Sequence, residues 1–341
     1  MKTIDVFIKR ITVFSLLISF FSCENFLELT PDNAIPAGNP TISSLGTLRA
    51  AIIGAYDYLQ GNGGNLVTLA TALGDNAIGN GSQSAPFQLN QHAVPADHTT
   101  VVSTYQSLYR AINSANTIIA SIGAINDPLL SEAEKNQILG EAHFIRALGY
   151  FDLARGWGGV QIQTKPTDDL DVIKGIKRSS QDETYNQVLA DLIEAEKFLP
   201  EDASTRNRAQ KSTARALRAR LHLYREQWDE AERYASEVIA NSKYELIKPY
   251  KSFSTAPFLT KESVFELTFS LNDRNSYWNT WYPSSLGGSH NLKPSDKIVE
   301  KLNNPAIGGN RNVILTGSGL TLHTTFYGPT TGTSPFYIIR I

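Results

Sequence analysis

The feature that most constrains the fold is a long helix predicted over Glu141 to Val160, which ends abruptly in a glycine-rich string. Apolar or small residues recur there at helical spacing in two overlapping stripes rather than one narrow stripe. One stripe is Ile138, Ala142, Ile145 and Leu148, and the other is Leu139, His143, Ala147, Tyr150 and Ala154. So wide an apolar surface needs neighbours on both sides, as in a stack of helices. Gly156, Gly158 and Gly159 are expected to end the helix.

A related pattern recurs 72 residues later in the chain. The corresponding residues are Ala142, Arg146, Ala147 and Phe151 in the first copy, and Ala214, Arg218, Ala219 and Leu223 in the second. Each helix has a downstream partner with its own apolar stripe, over 185–199 and 228–239. The second pair is close to a tetratricopeptide consensus, in which small residues let paired helices approach. Arg146 and Arg218 hold equivalent positions, so we expect each to form a structural ion pair or hydrogen bond.

An ordered series of motifs resembles the SusD/RagB family. The string E-A-x-x-x-R-A-L-x-Y-F-x-L from Glu141, followed closely by W-G-G-V, resembles the signature helix of that family. The other matches are F-L-E-L-T-P from Phe26, G-D-N at Gly74 to Asn76, Y-R-A-I-N-S-A-N from Tyr109, E-S-V-F-E-L from Glu262 and P-F-Y-I-I-R from Pro335. Gln161 departs from the pattern, because the family usually carries proline after W-G-G-V. The resemblance covers most of the chain.

This resemblance implies both a fold and a role. The implied fold is mainly α, a tetratricopeptide-like helical-repeat scaffold with a loop-rich C-terminal region that contains short strands. The implied role is that of a surface-exposed outer-membrane lipoprotein of Bacteroidetes that binds glycans or other nutrients. Such proteins associate with a SusC-like TonB-dependent transporter and deliver oligosaccharide for uptake. In the family the string from Pro335 opens a further long helix, so the chain is expected to be truncated at its C-terminus.

The N-terminus independently predicts a lipoprotein signal peptide over residues 1–22. The apolar run from Ile11 to Phe21 follows a basic start and is shorter than the roughly 20 residues of a transmembrane helix. Ser22 and then Cys23, the sole cysteine, follow this run. We expect cleavage before Cys23 and a covalent diacylglycerol on its sulfur, which would attach the protein to the membrane. An uncleaved anchor with an incidental cysteine is the alternative. Residues 23–40 read as a tether.

Beyond the tether, the sequence divides into a helical region at 41–250 and an incomplete, loop-rich C-terminal region at 251–341. The first helix is expected to end at Gly61 to Gly64, with a shorter helix following from Leu66 to Ala72. In the C-terminal region, apolar residues alternate with polar ones from Phe265 to Phe269, which predicts a short strand.

Composition and motifs give little support to catalysis, metal binding or nucleic-acid binding. There are 31 Lys and Arg residues against 33 Asp and Glu residues, a net charge of −2, so no basic surface for nucleic acid is indicated. The six histidines lack the H-x-x-x-H and H-E-x-x-H spacings of metal sites. His143 and His222 are expected to be core residues. No G-x-S-x-G or P-loop string occurs. We therefore expect a protein that is not an enzyme and holds neither metal nor cofactor, apart from the lipid.

Aromatic and amide residues in two loops are the candidate ligand contacts. The apolar faces of sugar rings stack on Trp and Tyr, while amides hydrogen-bond the hydroxyl groups. The first loop contributes Tyr277, Trp278, Asn279, Trp281 and Tyr282, and the second, over 80–92, contributes Asn80 and Phe87. The alternative is that the aromatic rings are local core and hold the loop against the scaffold.

The sequence is compatible with three functions. The first is glycan binding and delivery, the second is a scaffold that docks on the transporter without binding ligand, and the third is a surface glycoside hydrolase. Ligand binding by the isolated protein separates the first two, and product formation identifies the third. The sequence does not name the glycan.

Overall fold

Helices form most of the part of the chain that the structure describes. The computed structural model describes residues 42–309 except 82, 168–173, 202–204, 250–251, 253–258, 276, 283 and 285–286, together with 314–317, 320–323, 332–333 and 335–341. The predicted signal peptide (1–22), Cys23 and the tether (23–40) lie outside these residues. No described helix is both long enough and apolar enough to cross a membrane.

The helices and strands are numbered in chain order. The helices are α1 (Leu45–Leu73), α2 (Ser84–Asn90), α3 (Thr99–Ser121), α4 (Glu132–Trp157), α5 (Gln181–Phe198), α6 (Lys211–Tyr224), α7 (Trp228–Ile239), α8 (Tyr277–Trp281), α9 (Asp296–Asn303) and α10 (Pro305–Gly308). The strands are β1 (Ala77–Gly79), β2 (Ser263–Leu267), β3 (Leu292–Pro294), β4 (Ile314–Gly317), β5 (Leu320–His323) and β6 (Phe336–Arg340). A 3₁₀ turn, Ile122–Ala124, follows α3.

The helix α4 lies at the centre of a helical stack, as its two apolar stripes predict. Every residue of α4 from Gly140 to Ala154 is buried. The helix packs between α3 and α5, and the stack continues with α1 against α3 and with α6 and α7 beyond α5. It ends at Gly158, whose φ of +75° is a conformation that residues with a side chain rarely adopt. The expected array of packed helices is confirmed.

The expectation that Gly61 to Gly64 ends the first helix is wrong. The helix α1 runs without interruption for 29 residues, through all of these glycines. Gly63 is buried, and a Cβ atom built on it would lie 2.5 Å from Cδ2 of Phe336. The glycine therefore admits a ring from a distant segment. This packing outweighs the poor helix propensity of glycine.

The described strands form three two-stranded antiparallel sheets, β1 with β3, β2 with β6, and β4 with β5. The predicted strand near Phe265 is confirmed as β2. The expectation that the string from Pro335 opens a helix is wrong, because Phe336–Arg340 is the strand β6. In its register with β2, Ser263 lies opposite Arg340 and Leu267 lies opposite Phe336. This pairing gives the backbone of β2, buried at all five positions, a hydrogen-bonded neighbour.

The two repeat arginines both form structural ion pairs, as expected, and both reach α5. Arg146 on α4 binds Asp191, and Arg218 on α6 binds Glu196 with Nη1 and Oε2 2.6 Å apart. His143 and His222 are buried, as expected of core residues. The predicted apolar stripe of α7 is only partly buried, because Trp228 and Ile239, at the two ends of the helix, are exposed.

Candidate functional site

Two of the predicted ligand-stacking rings lie in the protein core. Trp281 and Tyr282 are 3% and 8% exposed and belong to a small hydrophobic cluster with Ala72, Ala77, Leu89 and Leu292. Burial raises the pKa of the Tyr282 hydroxyl. Since neighbouring side chains cover both rings, the sequence-based assignment of Trp281 and Tyr282 as stacking residues is corrected. They hold α8 against the scaffold.

The two predicted loops lie together in the structure, but several of their side chains pack in the core or hold the loops in place. Leu89 on α2 and Trp281 on α8 share one cluster. Asn80 donates from Nδ2 to the His290 carbonyl at 2.9 Å, which ties its loop to the segment before β3. Phe87 is 37% exposed, and Asn279 is exposed. The side chains of Tyr277 and Trp278, at the start of α8, lie outside the described part of the structure.

A groove beside α8 is the candidate site, and we call it the α1–β2 groove. It encloses about 230 Å³ between the middle of α1, the loop after β2 and the start of β6. Its lining residues are Asp57, Gln60, Gly61, Gly64, Asn65, Thr68, Phe269, Asp273, Arg274, Asn275, Thr280 and Phe336. The unbroken course of α1 places Asp57, Gln60 and Thr68 along one wall.

Polar groups of the α1–β2 groove are held in place by hydrogen bonds at its edge. Gln60 donates from Nε2 to the Thr268 carbonyl at 2.5 Å, and Oδ2 of Asp273 lies 3.4 Å from the same nitrogen. The amide of Asp273 donates to Oγ of Ser270 at 3.1 Å. Arg274 donates from Nε to the Leu271 carbonyl at 2.9 Å, and among the described residues its terminal nitrogens have no partner. Carboxylate acceptors and guanidinium donors therefore face the solvent side by side.

Two phenyl rings add an apolar surface to the α1–β2 groove. Phe269 and Phe336 make an edge-to-face contact, with ring centroids 5.3 Å apart and planes at 88°. Gly63 lets Phe336 lie directly against α1. Rings beside amides, carboxylates and an arginine suit a ligand that has both hydroxyl groups and apolar faces.

Sequence reasoning missed the residues of the α1–β2 groove. One pattern that could have indicated them is the glycine run inside a helical sequence, since such glycines often have a packing or functional reason. Another is the polar run from Ser270 to Asn275, directly after the predicted strand. Neither pattern shows from sequence alone that the two segments meet. Among the described residues, no group of three or more His, Cys, Asp or Glu side chains could hold a metal ion.

Comparison with known families and curated proteins identifies one family of relatives. A SusD-like family model, described as starch-binding and associating with the outer membrane, matches residues 25–223. A SusD-like protein of Formosa agariphila is 29% identical over 335 residues, which cover 90% of this chain and 61% of the relative. A second from the same organism is 30% identical over 291 residues, covering 82% and 56%. The chain thus spans less than two thirds of the length of these two relatives.

Solved structures share the fold. A laminarin-binding SusD-like protein superposes with a TM-score of 0.75 at 18% identity, covering 87% of this chain and 78% of that one. A SusD-like carbohydrate-binding protein from Bacteroides vulgatus gives a TM-score of 0.72 at 18% identity, covering 87% and 69%. The expected fold, a mainly α, tetratricopeptide-like scaffold with short strands, is confirmed.

Proposed function

This chain belongs to the SusD-like family, and on that premise we propose that it binds carbohydrate in the α1–β2 groove without cleaving it. The observation that carries the proposal is the placement of Gln60, Asp273 and Arg274 beside the Phe269–Phe336 ring pair. These groups can hydrogen-bond sugar hydroxyls while a ring face covers apolar C–H groups. The fold neighbour described as laminarin-binding supports carbohydrate as the ligand class.

The proposed biological role is nutrient uptake at the cell surface. We infer that the protein is held at the outer membrane by a lipid on Cys23 and associates with a SusC-like TonB-dependent transporter, to which it delivers oligosaccharide. The family description of outer-membrane association supports this location. A single cysteine after an apolar run of signal-peptide length supports the lipid.

Glycan-array screening followed by calorimetry tests binding in the α1–β2 groove. The full chain, purified in detergent, is compared with Arg274→Ala and Asp273→Asn. A charge-assisted hydrogen bond contributes about 1.5–3 kcal/mol, so each variant should bind an array hit about tenfold more weakly or worse. Asp229→Asn, an exposed carboxylate at the start of α7, is the matched control and should bind normally. Unchanged affinity in both groove variants would place the ligand elsewhere.

Co-purification and reducing-end assays, run beside the array, distinguish the two other functions. A scaffold that only docks on the transporter gives no array signal but still co-purifies with the transporter. A glycoside hydrolase releases new reducing ends from the bound oligosaccharide, and this release stops in one carboxylate variant.

Mass spectrometry of the membrane fraction tests the lipid anchor. The mature protein should begin at Cys23 and carry the mass of a diacylglycerol. A Cys23→Ala variant should keep its signal peptide and should not acquire the diacylglycerol. An intact Met1 terminus on the wild-type protein would contradict the proposed processing.

A further inference from the structure

A second concave surface lies on the helical scaffold, and we call it the tyrosine groove. It encloses about 430 Å³, within the range of roughly 300–1,000 Å³ that small-molecule sites occupy. Tyr105 and Tyr109 line it from α3, Tyr58 lines it from α1, and the loop over 161–167 closes one side. None of these residues lines the α1–β2 groove.

The two grooves lie on different sides of α1. Asp57 lines the α1–β2 groove, whereas Tyr58, the next residue, lines the tyrosine groove. Successive residues of an α-helix point about 100° apart, because each turn contains about 3.6 residues. The grooves can therefore be disabled separately by substitution.

The aromatic rings of the tyrosine groove are held in place by contacts with other aromatic side chains and by a hydrogen bond. Tyr105 lies 4.9 Å from Tyr109, centroid to centroid, and its ring contacts the edge of Trp157 at 5.4 Å. Tyr109 contacts Tyr150 edge-to-face at 6.5 Å, and its hydroxyl donates to the Gln161 carbonyl at 2.7 Å. Since the rings are already ordered, a ligand that stacks on them loses little free energy in ordering the site.

The spacing between the helices is also held at this point. Oγ of Ser107 on α3 donates to the carbonyl oxygen of Tyr58 on α1 at 2.8 Å. On the opposite side, Oδ1 of Asn113 accepts a hydrogen bond from the Thr167 amide at 2.9 Å. Both walls of the tyrosine groove are thus connected to α3.

Polar groups surround the rings. Gln106 and Arg110 are exposed on α3, one helical turn apart. Within the described residues, the Arg110 guanidinium makes no ion pair, and the lining residues of the tyrosine groove include no carboxylate. Amide and guanidinium donors beside half-buried tyrosine rings suit a ligand that has both hydroxyl groups and apolar faces.

From this geometry we propose that the tyrosine groove is a second carbohydrate-binding site. It takes one or two glycosyl units, with a sugar ring stacked on Tyr105 and its hydroxyl groups bound by Gln106 and Arg110. This inference goes beyond the site proposed above and does not require the α1–β2 groove to be occupied. Two sites on different faces of one helix would let the protein hold one long glycan at two points, which strengthens binding without new contacts at either site.

Calorimetry with hits from an array of neutral and uronic-acid-containing oligosaccharides tests this proposal. At least one oligosaccharide should bind Tyr105→Ala about tenfold more weakly than wild type, because the stacking surface is lost. The same oligosaccharide should retain at least part of its affinity for Arg274→Ala, which changes only the α1–β2 groove. The double variant should bind more weakly than either single variant.

Matched variants separate binding from folding. Tyr105→Phe keeps the ring and should bind within about threefold of wild type. Tyr224→Ala removes a half-exposed tyrosine from α6 and should bind normally. If Tyr105→Ala does not fold, Gln106→Ala and Arg110→Ala replace exposed side chains and should each weaken binding several-fold. Trp157 lies against Tyr105, so saturation should change its fluorescence, and Trp157→Phe should abolish that change.

The outcomes distinguish this proposal from the first. Loss of binding in the Arg274→Ala variant alone would support the α1–β2 groove and overturn the tyrosine groove. Loss in the Tyr105→Ala, Gln106→Ala and Arg110→Ala variants alone would do the reverse. Absence of any array hit for wild type would overturn both, and a transporter interaction lost only in the tyrosine-groove variants would reassign that groove to protein docking.

Discussion

Arg146 on α4 binds Asp191 on α5 through two parallel hydrogen bonds, from Nε to Oδ2 at 2.9 Å and from Nη2 to Oδ1 at 2.6 Å. Asp191 is 1% exposed and also lies 2.9 Å from Nδ1 of His143. Nη1 of Arg146 donates to Oδ1 of Asn116 on α3 at 2.8 Å. The buried Arg146–Asp191 pair therefore joins three consecutive long helices of the stack, α3, α4 and α5.

Replacing Asp191 by alanine should destabilise the protein by about 3–5 kcal/mol, because it leaves Arg146 buried without its partner. Urea denaturation measures the change. Glu194 on the same helix is the matched control, since its ion pair with Lys197, 3.3 Å long, is exposed. Glu194→Ala should cost less than about 1 kcal/mol. Similar losses of unfolding free energy in the two variants would show that the buried pair contributes no more to stability than the exposed pair.

The Asp191 carboxyl should also make stability depend on pH in acid. Burial acts to raise its pKa, but hydrogen bonds from His143 and Arg146 outweigh burial and hold the pKa below its ordinary value of 3.8. The unfolded chain therefore binds a proton at a higher pH than the folded protein does. The stabilisation is complete above about pH 4 and is lost as pH falls through the folded-state pKa. Urea midpoints between about pH 7 and pH 2 should fall less steeply in acid for Asp191→Asn than for wild type.

Two glycines of α1 should respond in opposite directions to the same substitution. Gly63→Ala places a methyl group against the Phe336 ring and should destabilise the protein by about 1–3 kcal/mol. At Gly61 nothing lies within 4 Å of the new methyl group, so Gly61→Ala should stabilise by about 0.5–1 kcal/mol. Thermal melting compares the two variants. Phe336→Leu should partly restore the Gly63→Ala variant, and equal effects at both glycines would argue against the close contact.

Trp281 should behave as a core residue. Trp281→Ala removes a ring that is 3% exposed and should cost about 3–5 kcal/mol in unfolding free energy. Phe87→Ala removes a ring that is 37% exposed and should cost less than half as much. Chemical denaturation with parallel glycan titration separates stability from binding. If Trp281→Ala kept full stability but lost ligand, the ring would be a binding residue after all.

The helical stack could be predicted from the sequence because the patterns that indicate it involve residues close together in the chain. The two stripes of α4 identify a helix covered on both sides, and the offset repeat places Arg146 and Arg218 at positions where each finds an ion-pair partner. Helical periodicity depends only on residues three and four apart. The ordered motifs identified the family for the same reason, since each is a short string.

The grooves and the corrections were decided by contacts between distant parts of the chain. The sequence near Gly63 predicts a break, and only the approach of Phe336 explains why α1 continues. Tryptophan is a residue type that often stacks on sugar rings, so the sequence favoured Trp281 as a ligand contact. Whether its ring is covered or exposed depends on which segments pack over it, and here those segments carry Leu89 and Leu292. By itself, the sequence determined the periodic helices of the stack, their repeat and the family. Tertiary packing alone decided where those helices leave concave surfaces, because a groove is formed by side chains that are far apart in sequence.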